Sequence, residues 1–311
     1  MTKNIKKLLI IGGTGFIGYH VAKEAIKRKW TVESISINKP KKIRRISKVK
    51  YIHLDISKKN QLKNKIKKKY SFVINLGGYV DHTYANREKT LKSHYMGCKN
   101  LCQILSSDSL KTFLQMGSSA EYENYNSPHK EIFDLKVPKQ IYAKSKFLAS
   151  RYLINLYKKE KFPVTIFRLY QAYGPKQDTN RLISIVIDAC LKNKKFPCSD
   201  GKQYRDFVHI DDLVRSIFLC YNNKKALGQI INIGSGKPKK IKNIIKFISN
   251  FLKSGIPEFG KIRTTGKKSI YPNIIKAKKI LGWSPKVKFY SGLLKTIKTY
   301  KKQDRNKTSL Y

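Results

Sequence analysis

Short apolar, β-branched runs alternate with longer amphipathic stretches through the first half of the chain, and the two carry different periods. The runs predict strands at Lys7–Ile11, Thr31–Ile37, Tyr51–Leu54, Phe72–Leu76, Phe113–Met116 and Val164–Arg168. Between them, apolar positions three and four apart predict helices at Gly15–Arg28, Lys58–Lys69, Arg87–Ser106 and Gln140–Lys159. Six strands with helices in the gaps form βαβ units, so the expected class is α/β with a doubly wound parallel sheet.

After Arg168 the rhythm breaks. Tyr170–Gln177 reads as a loop, Arg181–Lys192 as a helix and Gln203–His209 as a strand. Further helices are expected at Asp211–Tyr221, Lys240–Phe251, Ile274–Ile280 and Ser291–Lys301, with Gly/Pro turns at Gly255-Ile-Pro257 and Gly282-Trp-Ser-Pro285. This predicts a main lobe of residues 1–170, to which a segment near 203–228 returns. Residues 171–311 form a smaller C-terminal α/β lobe, with Gln303–Tyr311 a frayed tail.

The first strand runs straight into Gly12-Gly-Thr-Gly15-Phe-Ile-Gly18. Glycines spaced G-x-x-G-x-x-G allow a tight turn and close backbone approach to a pyrophosphate, and the following helix N-terminus offers free N–H donors. Placed at the first βαβ unit, this points to a Rossmann dinucleotide site. The ribose-reading position at the end of the second strand carries no acid: Ser34-Ile-Ser36-Ile-Asn38 is followed by Lys39, Lys41, Lys42, Arg44 and Arg45. Without a carboxylate to repel a 2′-phosphate, NADP(H) is expected ahead of NAD(H), unless these lysines are only solvated loop charges.

The 311 residues carry 67 basic and 19 acidic side chains, a net +48, which taken alone suggests nucleic acid or an anionic membrane. Only 11 of the basic residues are Arg, whereas base readout leans on Arg, so no nucleic-acid partner is expected. The excess reads as solvated lysine, and the field would steer anionic small molecules inward. Five Cys form no C-x-x-C pair and no metal-spaced cluster with His, so neither a disulfide framework nor a metal is expected. With no signal-like h-region and no membrane-length apolar run, the cytosol is the expected compartment and no integral membrane contact is expected.

Tyr142-Ala-Lys-Ser-Lys146 puts a phenol and an ammonium on one helix face. A nearby cation favours the phenolate and brings a group of ordinary pKa about 10 into a useful range. Phe113-Leu-Gln-Met-Gly-Ser118-Ser119 ends a strand in hydroxyls at the sheet edge where ligands bind in open α/β folds, completing a Ser118/Tyr142/Lys146 set.

At this point the chain resembles a family: the extended short-chain dehydrogenase/reductases, or NAD-dependent epimerase/dehydratase family, which act on nucleotide sugars. The residues carrying the resemblance are the glycine loop, Asp55-Ile56, Asn75-Leu-Gly-Gly78, Ser118–Tyr122, Tyr142 with Lys146, Arg168–Pro175, Gly201–Asp212, Asn232–Gly236 and Lys276–Trp283. It implies a Rossmann sheet with a smaller substrate-binding lobe, and catalysis by Ser118, Tyr142 and Lys146. It further implies cofactor contacts from Gly12, Thr14, Gly15, Phe16, Ile17, Gly18, Ser36, Asn38, Lys39, Asp55, Ile56, Leu76, Gly77, Gly78, Tyr142 and Lys146. Ser119, Gln171, Arg181 and Arg205 would bind a nucleotide diphosphate sugar, and a homodimer is expected. An Arg fork suits phosphate oxygens, although an ion pair with Asp206 or Asp211 would also explain Arg205.

Three departures narrow the activity. The 4,6-dehydratase branch follows a Thr with an Asp-Glu pair, whereas Ser118 is followed by Ser119 and Ala120, with Glu121 and Glu123 out of that register. Gln171 replaces the family's usual Asn, and the late R-x-G-E segment reads Thr264-Thr-Gly-Lys267. With a resemblance of Ser254–Gly260 to nucleotide 4-keto-6-deoxysugar reductases, the expected activity is NAD(P)H-dependent ketone reduction at sugar C4. A 4-epimerase retaining NAD is the alternative, and a non-catalytic polyanion binder on the same fold is a third reading.

Overall fold

The computed structural model describes residues 6–66, 70–78, 86–105, 109–264 and 266–308, with side chains to 302. Strands β1 (Lys7–Ile11), β2 (Thr31–Ser36), β3 (Val49–His53), β4 (Phe72–Asn75), β5 (Thr112–Ser118) and β6 (Val164–Leu169) alternate with helices α1 (Phe16–Lys27), α2 (Lys59–Lys65), α3 (Arg87–Leu91), α4 (Gly97–Ile104) and α5 (Ile141–Glu160). A π-helical turn, Lys92–Met96, joins α3 to α4, so the stretch predicted as one helix is one rod with a widened middle turn. The predicted ends of two helices, residues 67–69 and 106, lie outside the described residues, as does Thr265.

Beyond β6 follow β7 (Gln171–Tyr173), α6 (Leu182–Leu191), β8 (Lys195–Cys198), β9 (Tyr204–Arg205), β10 (Phe207–His209), α7 (Ile210–Cys220) and β11 (Gln229–Ile233). Then come β12 (Lys239–Lys240), α8 (Ile241–Leu252), β13 (Ile256–Phe259), β14 (Ser269–Ile270), α9 (Ile275–Leu281) and α10 (Phe289–Thr308). The main sheet has the order β3-β2-β1-β4-β5-β6-β11, and every neighbouring pair is parallel. The strand order reverses between β1 and β4, which opens a crevice at the carboxyl ends of the strands.

Both faces of this sheet are covered, which is why its strands read as unbroken apolar runs. Alternate residues feed opposite cores: Leu8, Ile10 and Ile74 pack on one side, Leu9, Ile11 and Val73 on the other. A third core, built from Ile183 and Ile187 of α6, Ile244 and Ile248 of α8, and Leu293 and Ile297 of α10, supports the C-terminal lobe.

Five expectations are corrected by the structure, the first being that Tyr170–Gln177, read as a loop, contains β7, which pairs in parallel with β10. The main sheet has a seventh strand, β11, which the apolar pattern hid because its run is interrupted by Asn232. That side chain is fully buried, its amide oxygen accepting from the Tyr122 hydroxyl at 2.9 Å and its nitrogen donating to the His129 carbonyl at 2.9 Å. The expected strand Gln203–His209 is split at Asp206, whose buried carboxylate turns to Ser235. Ile256–Phe259 is not a turn but a strand beside β8; prolines are tolerated there because the pair has only two strands. Helix α10 continues to Thr308, through most of the expected tail.

Candidate functional site

A cleft of about 670 Å³ opens at the strand-order reversal, between the main sheet and the C-terminal lobe. Gly12, Gly15, Phe16, Ile17 and Gly18 form one wall, and Leu76 and Gly78 of the segment after β4 extend it. The glycines are required by space. Gly12 has φ +79°, and a Cβ on Gly18 would lie 2.5 Å from the Gly12 carbonyl oxygen. A Cβ on Gly15 would meet only that same oxygen, at 3.3 Å, so this glycine leaves room for a group above the loop. No side chain caps the N-terminus of α1. An open glycine and an uncapped helix N-terminus in the crevice fit a dinucleotide pyrophosphate.

Thr14, Ser36, Asn38, Lys39, Asp55, Ile56 and Gly77 do not line this cleft. Ser36 is buried at the end of β2, where its hydroxyl accepts the Thr14 N–H at 3.4 Å, while Asn38 and Lys39 are exposed on the loop beyond. Asp55 accepts the Ser57 N–H at 2.8 Å in the turn after β3, and Ile56 is buried against Gly97. Gly77 fits closely over Ile11, 2.7 Å from the position its Cβ would take.

Arg44 does not belong with the surface lysines. Its guanidinium is 3% exposed, donates to the Lys176 carbonyl at 3.0 and 2.6 Å, and pairs with Asp178 at 2.8 Å. Of the two arginines after β2, Arg44 is therefore engaged with the loop at Lys176–Asp178.

The hydroxyl, phenol and ammonium predicted from sequence meet at the cleft floor. Ser118 ends β5, Tyr142 and Lys146 occupy successive turns of α5, and the Ser118 hydroxyl and the Tyr142 phenol line the same cleft. Lys146 is buried and its Nζ donates to the Met116 carbonyl at 2.8 Å. Burial pushes the Lys146 ammonium down to about 8, with the Glu121 carboxylate opposing the shift. Burial also raises Tyr142, against the Ser118 hydroxyl and the Arg181 cation, which favour its phenolate.

Ser119, Gln171, Arg181 and Arg205 all line the cleft, Ser119 from the turn after β5 and the other three from segments beyond β6. Arg205 is half-buried and its Nη1 donates to the Tyr204 carbonyl at 2.8 Å. The two acids proposed as its partners are engaged elsewhere: Asp206 by Ser235, and Asp211 by Lys295 at 2.7 Å. The cleft also contains residues that sequence did not single out. His94 sits edge-on to Tyr142, with ring centroids 5.3 Å apart, and backs against Gly78. Lys267 reaches the carbonyls of Tyr122 and Tyr125 and lines the wall near Arg205. Its position in Thr264-Thr-Gly-Lys267, where an acid was expected, was the available signal.

Both carboxylates on the cleft wall are occupied. Glu123 accepts the N–H groups of Lys139 and Gln140 at 2.7 and 3.2 Å ahead of α5, and Asp178 holds Arg44. The segment Ser254–Gly260 lies outside the cleft. Among the described residues no cluster of His, Cys, Asp and Glu could hold a metal, and no helix is long and apolar enough to cross a membrane.

The profile of the NAD-dependent epimerase/dehydratase family matches residues 8–234. The chain belongs to this family. It is an enzyme of a group whose cofactor is NAD, consistent with the glycine cradle. Among curated proteins it is similar to a UDP-glucuronate 4-epimerase of Thermodesulfobacterium geofontis, 26% identical over 93% of this chain and 94% of that one. It is also similar to a dTDP-D-glucose 4,6-dehydratase of Dictyostelium discoideum, 29% identical over 74% of this chain but only 58% of the other. The UDP-glucose 4-epimerase of Thermotoga maritima, solved with UDP-glucose, superposes with a TM-score of 0.88 over 96% of this chain and 99% of that one at 22% identity. The last likeness establishes shared fold.

Proposed function

We propose that this enzyme is an NAD(P)-dependent oxidoreductase acting at C4 of a nucleotide diphosphate sugar, with reduction of a 4-keto-6-deoxysugar as its net reaction. The observation carrying C4 carbonyl chemistry is the Ser118–Tyr142–Lys146 set facing the glycine loop across one cleft whose carboxylates are both engaged. Water elimination would need an acid and base beyond the phenol, and neither Glu123 nor Asp178 is free to serve.

A nicotinamide cofactor held on the glycine loop would supply the hydride for C4. Tyr142 gives its proton to the C4 oxygen while the Ser118 hydroxyl holds that oxygen, so ketone becomes alcohol. Lys146 orients the cofactor ribose and supports the phenolate left behind. Gly12, Gly15, Phe16, Ile17 and Gly18 would cradle the pyrophosphate and Leu76 and Gly78 would continue that wall, while Thr14, Ser36, Asn38, Lys39, Asp55, Ile56 and Gly77 would meet only the part of the cofactor that extends beyond the cleft. Arg205 and Arg181 take the sugar nucleotide's phosphates, and Ser119 and Gln171 contact its sugar. The enzyme works in the cytosol as a homodimer, which light scattering on the purified protein tests.

The 4-epimerase that aligns along 93% of the chain favours a second reading, in which the same residues return the hydride to the opposite face of C4. Cofactor analysis separates the two. Reduction predicts a protein purified largely free of dinucleotide that oxidises NADPH in proportion to an added nucleotide 4-keto-6-deoxysugar. Tightly retained NAD with no net NADPH oxidation would replace it by epimerisation, and activity on neither substrate class would reject both.

A further inference from the structure

Behind the cleft wall, β5 and β6 end against a buried ion pair. Glu121 is 0% exposed and Arg168 1%, with Glu121 Oε2 3.0 Å from Arg168 Nε. The other carboxylate oxygen accepts the Ser118 N–H at 2.9 Å, while the Ser118 hydroxyl accepts the Ala120 N–H at 3.2 Å. These two bonds form a capping box on the 3₁₀ turn Ser119–Tyr122 and fix the backbone of Ser118 from behind. Gly117 makes the approach feasible, since a Cβ there would sit 2.5 Å from Glu121 Oε1. Arg168 donates its Nη1 to the Ile132 carbonyl at 3.2 Å and stacks over the Tyr122 ring at 4.6 Å. Neither charge lines the cleft.

Isolating two charges from water costs about as much as their attraction returns, so this pair is a weak source of stability. Its placement suggests another use. We infer that Glu121, locked by Arg168, is a positioning residue: it aims Ser118 towards the Tyr142 phenol and sets a buried carboxylate directly behind Ser118. That charge keeps the phenol proton in place for delivery to the C4 oxygen. The inference rests on the proposed reaction for its use, but its electrostatic part is measurable without any substrate.

Several described groups face this cluster. Burial raises Tyr142 and Glu121 adds to it, against Ser118 and Arg181, with the His94 ring edge-on. Burial lowers Lys146, against Glu121 and Cys98, with the Met116 carbonyl as acceptor. Glu121 itself faces Arg168, and Glu131 lies beyond Tyr122.

The experiment replaces both charges together. Glu121→Gln with Arg168→Gln leaves an amide oxygen for the Ser118 N–H and no buried unpaired charge, unlike either single change. Tyr142 ionisation is read as the ultraviolet tyrosinate difference between this variant and the same variant carrying Tyr142→Phe, with the wild-type pair as reference. The expected result is a folded protein whose Tyr142 titrates about one pH unit lower. The alkaline limb of the reduction rate should move down with it, because loss of the phenol proton ends donation. An unchanged Tyr142 titration in the folded variant overturns the inference. A wild type inactive on every nucleotide sugar would reject the proposed reaction while leaving the titration to decide the charge effect. Should the double variant not fold, Glu121→Asp keeps the charge but shortens its reach. A pH profile left in place with kcat lowered about tenfold supports positioning, and an unchanged kcat overturns it.

Discussion

Lys146 Nζ donates at 2.8 Å to the carbonyl of Met116, two residues before Ser118 on the same strand. That bond ties α5 to β5 and so registers Tyr142, one turn earlier, against the Ser118 hydroxyl. It also holds an ammonium where water is excluded, and burial lowers its pKa from 10.5 to about 8.

The cost of burying that charge has a predictable pH dependence. Below about pH 8 the group is protonated in both folded and unfolded chains, and folding bears the whole desolvation penalty, at most about 3 kcal/mol at 1.36 per unit. Between about 8 and 10.5 the unfolded chain binds more protons, so this contribution to stability rises with pH. Lys146→Met should therefore melt higher than wild type at pH 7, lose that advantage as pH rises through this window, and bind cofactor poorly. Melting curves across the range check this, and a variant less stable than wild type at pH 7 contradicts it.

Tyr142→Phe removes the transferable proton while keeping the ring against His94. The variant should fold, bind cofactor with near-normal affinity and lose about 10²–10⁴-fold in turnover. Near-normal turnover would take Tyr142 out of the mechanism.

The strands of the main sheet were legible because burial on both faces writes a continuous apolar run, and β11 was not because Asn232 is buried through side-chain hydrogen bonds. The Ser118, Tyr142 and Lys146 set was legible because two of its members share a helix face and the third ends a strand. His94 was not, since only the fold brings its ring to Tyr142 from a separate helix. Arg44 illustrates the opposite failure. In sequence it is one of five cations after β2, and its burial against Lys176 and Asp178 depends on a loop more than 130 residues away.

That burial sharpens the cofactor question. On the proposed NADP(H) reading, with Arg44 engaged, attraction of a 2′-phosphate would fall to the exposed Lys39, Lys41, Lys42 and Arg45, and discrimination would rest on the absence of an acid beside Ser36. Ser36→Asp should shift preference from NADP(H) towards NAD(H), because the new carboxylate repels the phosphate and accepts from a free 2′-hydroxyl. Dissociation constants for both dinucleotides give the answer. An unchanged ratio would place the ribose away from Ser36.

Arg205 offers the sharpest separation of binding from stability. Asp206 is held by Ser235 and Asp211 by Lys295, so the guanidinium has neither of the acids that would make it a structural ion-pair partner. Instead it lines the cleft, its Nη1 donating to the carbonyl of its neighbour Tyr204, and burial lowers its pKa. A guanidinium so placed gains from two-pronged contact with a pyrophosphate, which a lysine's point charge does not reproduce. Arg205→Lys should weaken nucleotide diphosphate sugar binding about tenfold, the loss of one charge-assisted hydrogen bond. The melting temperature and the affinity for NADPH should stay where they are, because the glycine loop lies on the opposite wall. Separate titrations of NADPH and a nucleotide diphosphate into wild type and variant, beside a melting curve, decide between the roles. A lowered melting temperature with equal losses for both ligands would return Arg205 to a structural part and leave the substrate's phosphates to Arg181 and Lys267.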